Sequence, residues 1–402
     1  MSDRAQAYPM QGIVVVDLSQ IYNGPYATFL MAAAGATVIK IEPPGGESLR
    51  RRAVIGGAAL PFAMLNGCKQ AVTLNLKSAV GKAALRRLVG GADVVVENFA
   101  PGVMDRLGVG AEALMKLNPR LIYASSSGFG RDGPYSAYPA MDLTIQAMSG
   151  VMQTTGYPDR PPVKAGPAVA DFFAGVHLYG AIATALFERE RTGVARRVEV
   201  SMQDAVYASL SSSLGLHWSA AGGDAPARTG NRHGGLAESP YNVYPTRDGY
   251  IAIICVGETH WANLATAMGR PELLEDERFG NLAARVAHMD ALDALVSQWT
   301  AAHDKEPLFD LLIDHHVPCA PVRTLDEVIT DRNMHERGAL EWQDHPELGR
   351  IVVQRSPLRF DGLAPHPLEP SRALGADTIA VLRDRAGLSE VEIGEVLAQD
   401  EA

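Results

Sequence analysis

Residues 13–46 read IVVVDLSQIYNGPYATFLMAAAGATVIKIEPPGG. Ile13-Val14-Val15-Val16 is an unbroken β-branched run, the pattern of a strand covered on both faces. Gly24-Pro25 follows, with proline placed for a helix start. Tyr26 to Ala34 is helix-friendly, and Gly35 suits its C-cap. Thr37-Val38-Ile39-Lys40-Ile41 is a second strand, stopped by Pro43-Pro44-Gly45-Gly46. The alternation then continues. Ala71 to Leu74 reads as a strand, and Ser78 to Val89 as a helix with Ser78 as its N-cap. Asp93 to Val96 is a strand, Ala111 to Leu117 a short helix, and Leu121 to Ala124 a strand. Strands alternating with helices in this way predict an α/β fold with a parallel sheet covered on both faces. Ligands of such sheets sit outside the carboxyl ends of the strands. That rim holds Ser19 to Asn23, Glu97-Asn98-Phe99 and Ser125 to Gly130.

The pattern changes further along. Asp171 to Arg191 reads as a long apolar helix, charged only at its end. Val198 to Val200 is a short strand, and Met202 to Trp218 another apolar helix. Ala220 to Gly235 is small, Gly-rich and polar, a mobile loop or linker by composition. Ser239 to Cys255 reads as strand–turn–strand, with Arg247-Asp248-Gly249 as the turn. Helices are expected around 258–268, 289–302 and 305–315, and again over 379–387 and 389–397.

The 402 residues, 47% of them hydrophobic and 20% charged, suffice for more than one packed core. Thirty-six Lys and Arg face 46 Asp and Glu, with no basic stripe, which argues against a nucleic-acid binder. Cys68, Cys255 and Cys319 lie far apart without a CxxC, as in a reducing cytoplasm. Met1 to Gln6 has no apolar signal core, and the apolar run Phe29 to Ile39 is shorter than a membrane span. The expectation is a cytoplasmic protein with no membrane partner.

Gly128-Phe129-Gly130-Arg131-Asp132-Gly133 matches GxGxxG after a strand. A dinucleotide site needs a helix to open there, and Pro134 and Pro139 oppose one. Neither a GxxxxGK[ST] nor a GxSxG occurs. His315-His316 points two rings in different directions, and no metal-ligand spacing is found. Asp171 fits the N-cap of its helix, which would explain the residue without chemistry. The same geometry in apolar surroundings makes a desolvated carboxylate able to attack a carbonyl. Asp142, among Ala140, Met141, Leu143 and Ile145, is either a hydrogen-bonded structural residue or a site residue. Arg50, Arg51, Arg52, Lys77 and Arg106 are scattered basics, of which a phosphate-bearing ligand would use one or two.

Taken together, several segments resemble the class III CoA-transferases, the superfamily of formyl-CoA transferase, carnitine CoA-transferase and α-methylacyl-CoA racemase. They are Asp17-Leu18-Ser19, Gly24-Pro25, the run Gly35 to Gly46, Leu74-Asn75-Leu76-Lys77 and Val96 to Gly102. Asn118 to Tyr123, Ser127 to Gly130 with Gly133-Pro134, Glu188-Arg189 with Thr192-Gly193, and Val317 to Val322 complete the set. The resemblance runs in order over nearly the whole chain. It implies a Rossmann-like large domain from both chain ends (1–220 and 331–402), a smaller α+β middle domain (221–330), and an interlocked homodimer. It places the nucleophilic aspartate on Asp171. It places CoA contacts on Tyr22, Asn23, Leu74, Asn75, Leu76, Lys77, Asn98, Phe99, Ala100, Arg106, Met141 and Asp142, with Tyr22 near the thioester and Asp142 near the carbonyl or pantetheine. Coenzyme A enters as the substrate acyl-CoA, with no permanently bound cofactor.

Four positions depart from family patterns. Pro43 stands where some members place a basic residue beside the adenine. Tyr22 replaces the glutamine of the formyl-CoA enzymes. Only Gly234-Gly235 remains of a four-glycine run that closes over their site. Met141 replaces the histidine of the racemases, and methionine cannot exchange a proton. The implied activity is transfer of CoA from an acyl-CoA donor, succinyl-CoA being one candidate, to a carboxylic acid through covalent aspartyl intermediates. An α-methylacyl-CoA racemase and a non-catalytic acyl-CoA-binding protein are the alternatives. Arg228, Arg232 and His233 are either exposed loop charges or partners for a second carboxylate such as that of succinate.

Overall fold

The computed structural model describes residues 7–52, 60–220, 223 and 225–400, with residues 399 and 400 described by backbone alone. Six strands form one parallel sheet in the order β3-β2-β1-β4-β5-β6. They are β1 (Val14–Asp17), β2 (Thr37–Glu42), β3 (Lys69–Thr73), β4 (Val94–Glu97), β5 (Ile122–Ser127) and β6 (Arg197–Ser201). β1 is central. Val14 pairs with Thr37 of β2 on one side, and Val15 with Val94 of β4 on the other. The chain winds outward from β1 to β3, then returns to the far side of β1 as β4. The order therefore reverses between β1 and β4. Crossovers leave that edge in opposite directions, so the loops after these two strands splay apart and leave a crevice.

Successive residues of each strand serve opposite faces. Val16, Ile39, Val72, Val95 and Tyr123 pack on one face with Leu85 and Leu88. Leu382 and Val396, from the helices Thr378–Asp384 and Glu390–Asp400, close that layer and bring the C-terminal end back to the sheet. Val15, Val38, Val94, Val96 and Ile122 fill the other face with Met31, Leu178 and Ile182. The last two belong to the helix Val169–Thr192, which packs against the helix Asn23–Ala33. By length and composition alone, Val169–Thr192 is apolar enough to cross a membrane. Its buried residues Leu178, Ile182, Ala185 and Leu186 lie in this core.

Two compact units divide the chain. The first holds the sheet and comprises 1–145, 167–206 and 331–402; the second comprises 146–166 and 207–330. The boundaries read from the sequence differ, since they assigned 146–166 and 207–220 to the large domain. In the second unit β7 (Tyr241–Pro245), β8 (Tyr250–Ile254) and β9 (Cys319–Pro321) form an antiparallel sheet. Tyr244, Ile251, Ile253, Trp261, Leu264 and Leu292 form its core. The expected turn at 247–249 is present, with Thr246 N–H donating to Gly249 O at 2.9 Å.

Other expectations are corrected. Met202 to Trp218 is not one helix but two, Met202–Tyr207 and Ser211–Ser219, joined by a 3-10 turn at Ala208–Leu210. Ser211-Ser212-Ser213 places three poor helix formers at that junction. The hairpin of β10 (Leu340–His345) and β11 (Gly349–Gln354) was not anticipated, because its strands mix charged and apolar residues without clean alternation. In the stretch 220–235, residues 221, 222 and 224 lie outside the described residues. The part from Arg228 onward is tied down: Gly230 N–H donates to Gly156 O at 3.0 Å, and Arg228 donates to three carbonyls.

Candidate active site

At the crevice between β1 and β4, the Asn98 carboxamide bridges the two loops. Its Oδ1 accepts from Gln20 N–H and its Nδ2 donates to Gln20 O, both at 2.8 Å. Two cavities open beside this bridge, and Gln20 and Phe99 line both. One, of about 250 Å³, is walled by Ile21, Asn23, Ser126, Ser127, Met141 and Asp171, with Asn98 and Ala100 at its edge. The other, of about 290 Å³, is walled by Leu18, Ile41, Pro43, Leu74, Asn75, Leu76 and Lys77. Ten of the expected site residues thus fall into two adjoining groups: Asn23, Asn98, Phe99, Ala100, Met141 and Asp171 at the first cavity, and Leu74, Asn75, Leu76 and Lys77 at the second.

Asp171 is not the N-cap that its sequence context suggested. Ala168 occupies that position, and Asp171 sits in the first helical turn, 8% exposed. The cap is supplied from elsewhere. Asp142 Oδ1 accepts from Ala170 N–H at 2.9 Å and from Asp171 N–H at 3.4 Å. One aspartate therefore satisfies two N–H groups of the first turn, and the other has no hydrogen bond to its carboxylate among the described residues. Burial, and then the neighbouring Asp142 charge, push the Asp171 carboxyl up to about 7. Near neutrality it is poorly solvated, partly ionised and unencumbered, the condition of an activated carboxylate nucleophile.

Two glycines let the backbone assemble this arrangement. A Cβ on Gly128 would stand 2.1 Å from Ala140 Cβ, so only glycine lets the loop before Met141 and Asp142 lie against β5. A Cβ on Gly175 would meet Asn23 O at 2.7 Å, so the helix of Asp171 reaches the loop after β1 only through a residue without a side chain. The GxGxxG match is a loop, with Gly130 and Gly133 at positive φ and no helix opening at Pro134.

Below the crevice lies a buried ionic cluster. Asp17 accepts from Lys69 Nζ at 3.0 Å and from Thr28 Oγ1 at 2.6 Å, and it also holds the Ser19 hydroxyl. Burial alone would raise the Asp17 carboxyl, but Lys40, Lys69 and the hydroxyls of Ser19 and Thr28 hold it well below the usual carboxylate range. Burial brings the Lys69 ammonium down to about 8, opposed by Asp17. Lys40 Nζ donates to Ser19 O. The cluster fixes the start of the loop 19–23.

Other expected residues take different places. Tyr22 does not wall the cavity; its ring stacks on Phe172, centroids 5.9 Å apart. Arg106 is exposed on the short helix Val103–Arg106 and walls neither cavity. Gly234 and Gly235 belong to the second unit, where Gly235 N–H donates to His233 Nδ1 at 3.2 Å. The guanidiniums proposed for a second carboxylate are engaged within that unit. Arg228 donates to the carbonyls of Tyr157, Gln153 and Arg160, and Arg232 pairs with Asp290 at 2.7 Å and Asp293 at 2.6 Å. Gln20, Ile21 and Ser126 were not singled out from the sequence, although they lie on the rim segments that strand order predicts.

A family model, "CoA-transferase family III", matches residues 10–378. An acetyl-CoA:oxalate CoA-transferase of Acetobacter aceti is 41% identical over 357 residues, 88% of this chain and 90% of that protein. A succinyl-CoA:mesaconate CoA-transferase of Haloarcula marismortui is 37% identical over 88% of this chain and 90% of its own length. A crystal structure of a CAIB/BAIF family protein from Brucella suis superposes with a TM-score of 0.82 at 34% identity. The match covers 94% of this chain and all of that one. The chain belongs to CoA-transferase family III.

Proposed function

We propose that the protein transfers CoA between an acyl-CoA and a small carboxylic acid, with Asp171 as the covalent nucleophile. The observation that carries this reading is the Asp171 carboxylate itself: buried, without a hydrogen bond among the described residues, raised to about 7, and facing a cavity at the reversal of strand order.

The nucleotide of CoA occupies the cavity of Leu74 to Lys77, and the thioester reaches past Phe99 to Asp171. The Asp171 carboxylate attacks the thioester carbonyl. The C–S bond breaks, leaving an acyl-aspartyl anhydride and CoA thiolate. The thiolate attacks the Asp171 carbonyl carbon, expels the donor acid as its carboxylate and forms an aspartyl-CoA thioester. The acceptor carboxylate then attacks that thioester, and the released thiolate attacks the acceptor's acyl carbon. This frees the new acyl-CoA and restores Asp171. Charge and atoms balance at each step, and only the acyl-CoA, the acid and Asp171 take part, so the scheme calls for no resident cofactor. Dividing one exchange into such steps is how covalent catalysis lowers the barrier.

Succinyl-CoA is the donor to test first, in line with the name of the Haloarcula relative, and small acids such as oxalate and mesaconate are the first acceptors. A racemase would need an acid–base pair flanking the α-carbon. Met141 stands on the cavity wall, 62% exposed, and offers no proton, which disfavours that alternative. We place the protein in the cytoplasm, as separated free cysteines suit a reducing compartment. An interlocked homodimer fits the uncovered apolar face of the helix Val169–Thr192, where Phe173, Val176 and Phe187 are exposed.

Trapping tests the reading. The protein is incubated with succinyl-CoA, quenched with hydroxylamine, digested and analysed by mass spectrometry. Modification of Asp171, absent from Asp171→Asn, is expected. An unmodified Asp171 across a panel of acyl-CoA donors overturns it.

A further inference from the structure

The loop from Ser19 to Asn23 is held at every residue by a side chain from a different part of the first unit. Ser19 O accepts from Lys40, Gln20 is bridged by Asn98, Tyr22 stacks on Phe172, and Asn23 Nδ2 donates to Ser126 Oγ at 2.9 Å. The remaining residue, Ile21, is the unusual one. Its φ is +67°, a left-handed conformation that a β-branched residue adopts only under constraint. Its N–H donates to Glu47 Oε2 at 3.1 Å.

Glu47 is 4% exposed, and its own N–H is anchored to Glu42 Oε2 at 3.1 Å. Glu42 is in turn locked by Arg50, with Nε and Nη2 each 2.8 Å from a carboxylate oxygen. Glu47 stands on the wall of the cavity of Leu74 to Lys77, whereas Ile21 stands on the wall of the cavity that Asp171 faces. The hydrogen bond therefore runs from one cavity to the other.

We propose that Glu47 is a positioning residue for acyl transfer: by holding Ile21 in its left-handed conformation, it sets the cavity wall that Ile21 shares with Asp171 and ties that wall to the nucleotide-side cavity. Released from Glu47, Ile21 relaxes toward negative φ, and the peptides of Tyr22 and Asn23 rotate with it. The proposal rests on Asp171 being the acylated residue, and one of its readouts is independent of that.

The test compares wild type with Glu47→Gln, Glu47→Asp and Glu47→Ala. Gln keeps the length and an acceptor oxygen. Asp keeps the carboxyl group but retracts the acceptor by one methylene. Hydrogen exchange of the Ile21 amide is measured in the unliganded protein. Single-turnover acylation of Asp171 by succinyl-CoA and the affinity for CoA itself are measured alongside. In Ala and Asp, the Ile21 amide is expected to lose protection, and acylation to slow roughly 10- to 100-fold, the order a small misplacement costs. The loss of CoA affinity is expected to be smaller than the loss of acylation rate, since the Glu47 Oε2 that is removed or withdrawn is engaged by Ile21 N–H. Gln is expected to recover both protection and rate. Wild-type acylation in Ala and Asp overturns the proposal. So does equal loss of acylation and CoA affinity, which would make Glu47 a nucleotide contact, or a failure of Gln to exceed Asp. Should Ala not fold, the Gln–Asp comparison decides. If wild type itself is not labelled at Asp171, the transferase reading fails, and exchange at Ile21 still tells whether Glu47 holds the loop.

Discussion

Replacing Asp171 by asparagine should abolish turnover and at the same time make the protein more stable at alkaline pH. The carboxyl takes its proton near 7 in the folded chain and at the ordinary 3.8 once unfolded. Between these values the folded state holds the proton more tightly, so the wild type loses stability as pH rises. The loss is absent below about pH 4 and complete above about pH 7. Each pH unit of separation corresponds to about 1.4 kcal/mol, so the full cost is about 4 kcal/mol. That is a ceiling, because the asparagine amide must also be desolvated. With an unfolding entropy of about 2.1 cal/mol/K per residue over the chain, it amounts to a rise in Tm of about 5 °C. Asparagine has nearly the same shape and leaves the Asp142 cap on Ala170 in place. The assay is thermal unfolding of both proteins from pH 4.5 to pH 8.5. The gain should grow with pH and level off above about 7. An asparagine variant no more stable than wild type at pH 8, or a gain that is the same at pH 5 and pH 8, would refute the reasoning.

Four further outcomes are expected. On the proposed mechanism Asp171 must be ionised to attack, so kcat/KM should rise with pH and reach its plateau above about pH 7. In Asp142→Asn, which keeps a capping oxygen but removes the like charge, that limb should move to lower pH; an unmoved limb excludes the coupling. Lys69→Met leaves Asp17 buried without its 3.0 Å partner and should cost about 3–5 kcal/mol in urea unfolding, whereas a loss below about 1 kcal/mol would mean that Lys40 compensates alone. Arg228→Ala strands three carbonyls and should lower Tm while leaving the kcat/KM ratio of dicarboxylic to monocarboxylic acceptors unchanged. A tenfold collapse of that ratio would restore Arg228 as a substrate contact.

Much of the fold was legible because the central strands are unmixed β-branched runs bounded by Gly and Pro. Val14–Asp17, Thr37–Glu42 and Val94–Glu97 lie within a residue or two of their expected positions. Ser78 caps its helix as read, its hydroxyl accepting from Gly81 N–H at 3.0 Å. The hairpin 340–354 and the break at 208–210 escaped, since their determinants are packing and local geometry rather than periodicity. Asp171 was visible as an acidic residue at a helix start and Asp142 as a carboxylate in apolar company, either structural or in the site. That Asp142 rather than Asp171 caps the helix was not legible, because the capping group arrives from 29 positions upstream.

Legible in the sequence alone were the α/β alternation, the rim segments that line the two cavities, and the family resemblance. These are written in local composition and in short motifs, each readable within one strand or turn. The tertiary structure decided which rim residues meet. It set Tyr22 against Phe172, spent Arg228 and Arg232 on partners within their own unit, and joined Glu47 to Ile21 across 26 positions. Such pairings depend on where separated segments come together. A carboxylate's environment, and hence its chemistry, is a property of the assembled neighbourhood rather than of the residue.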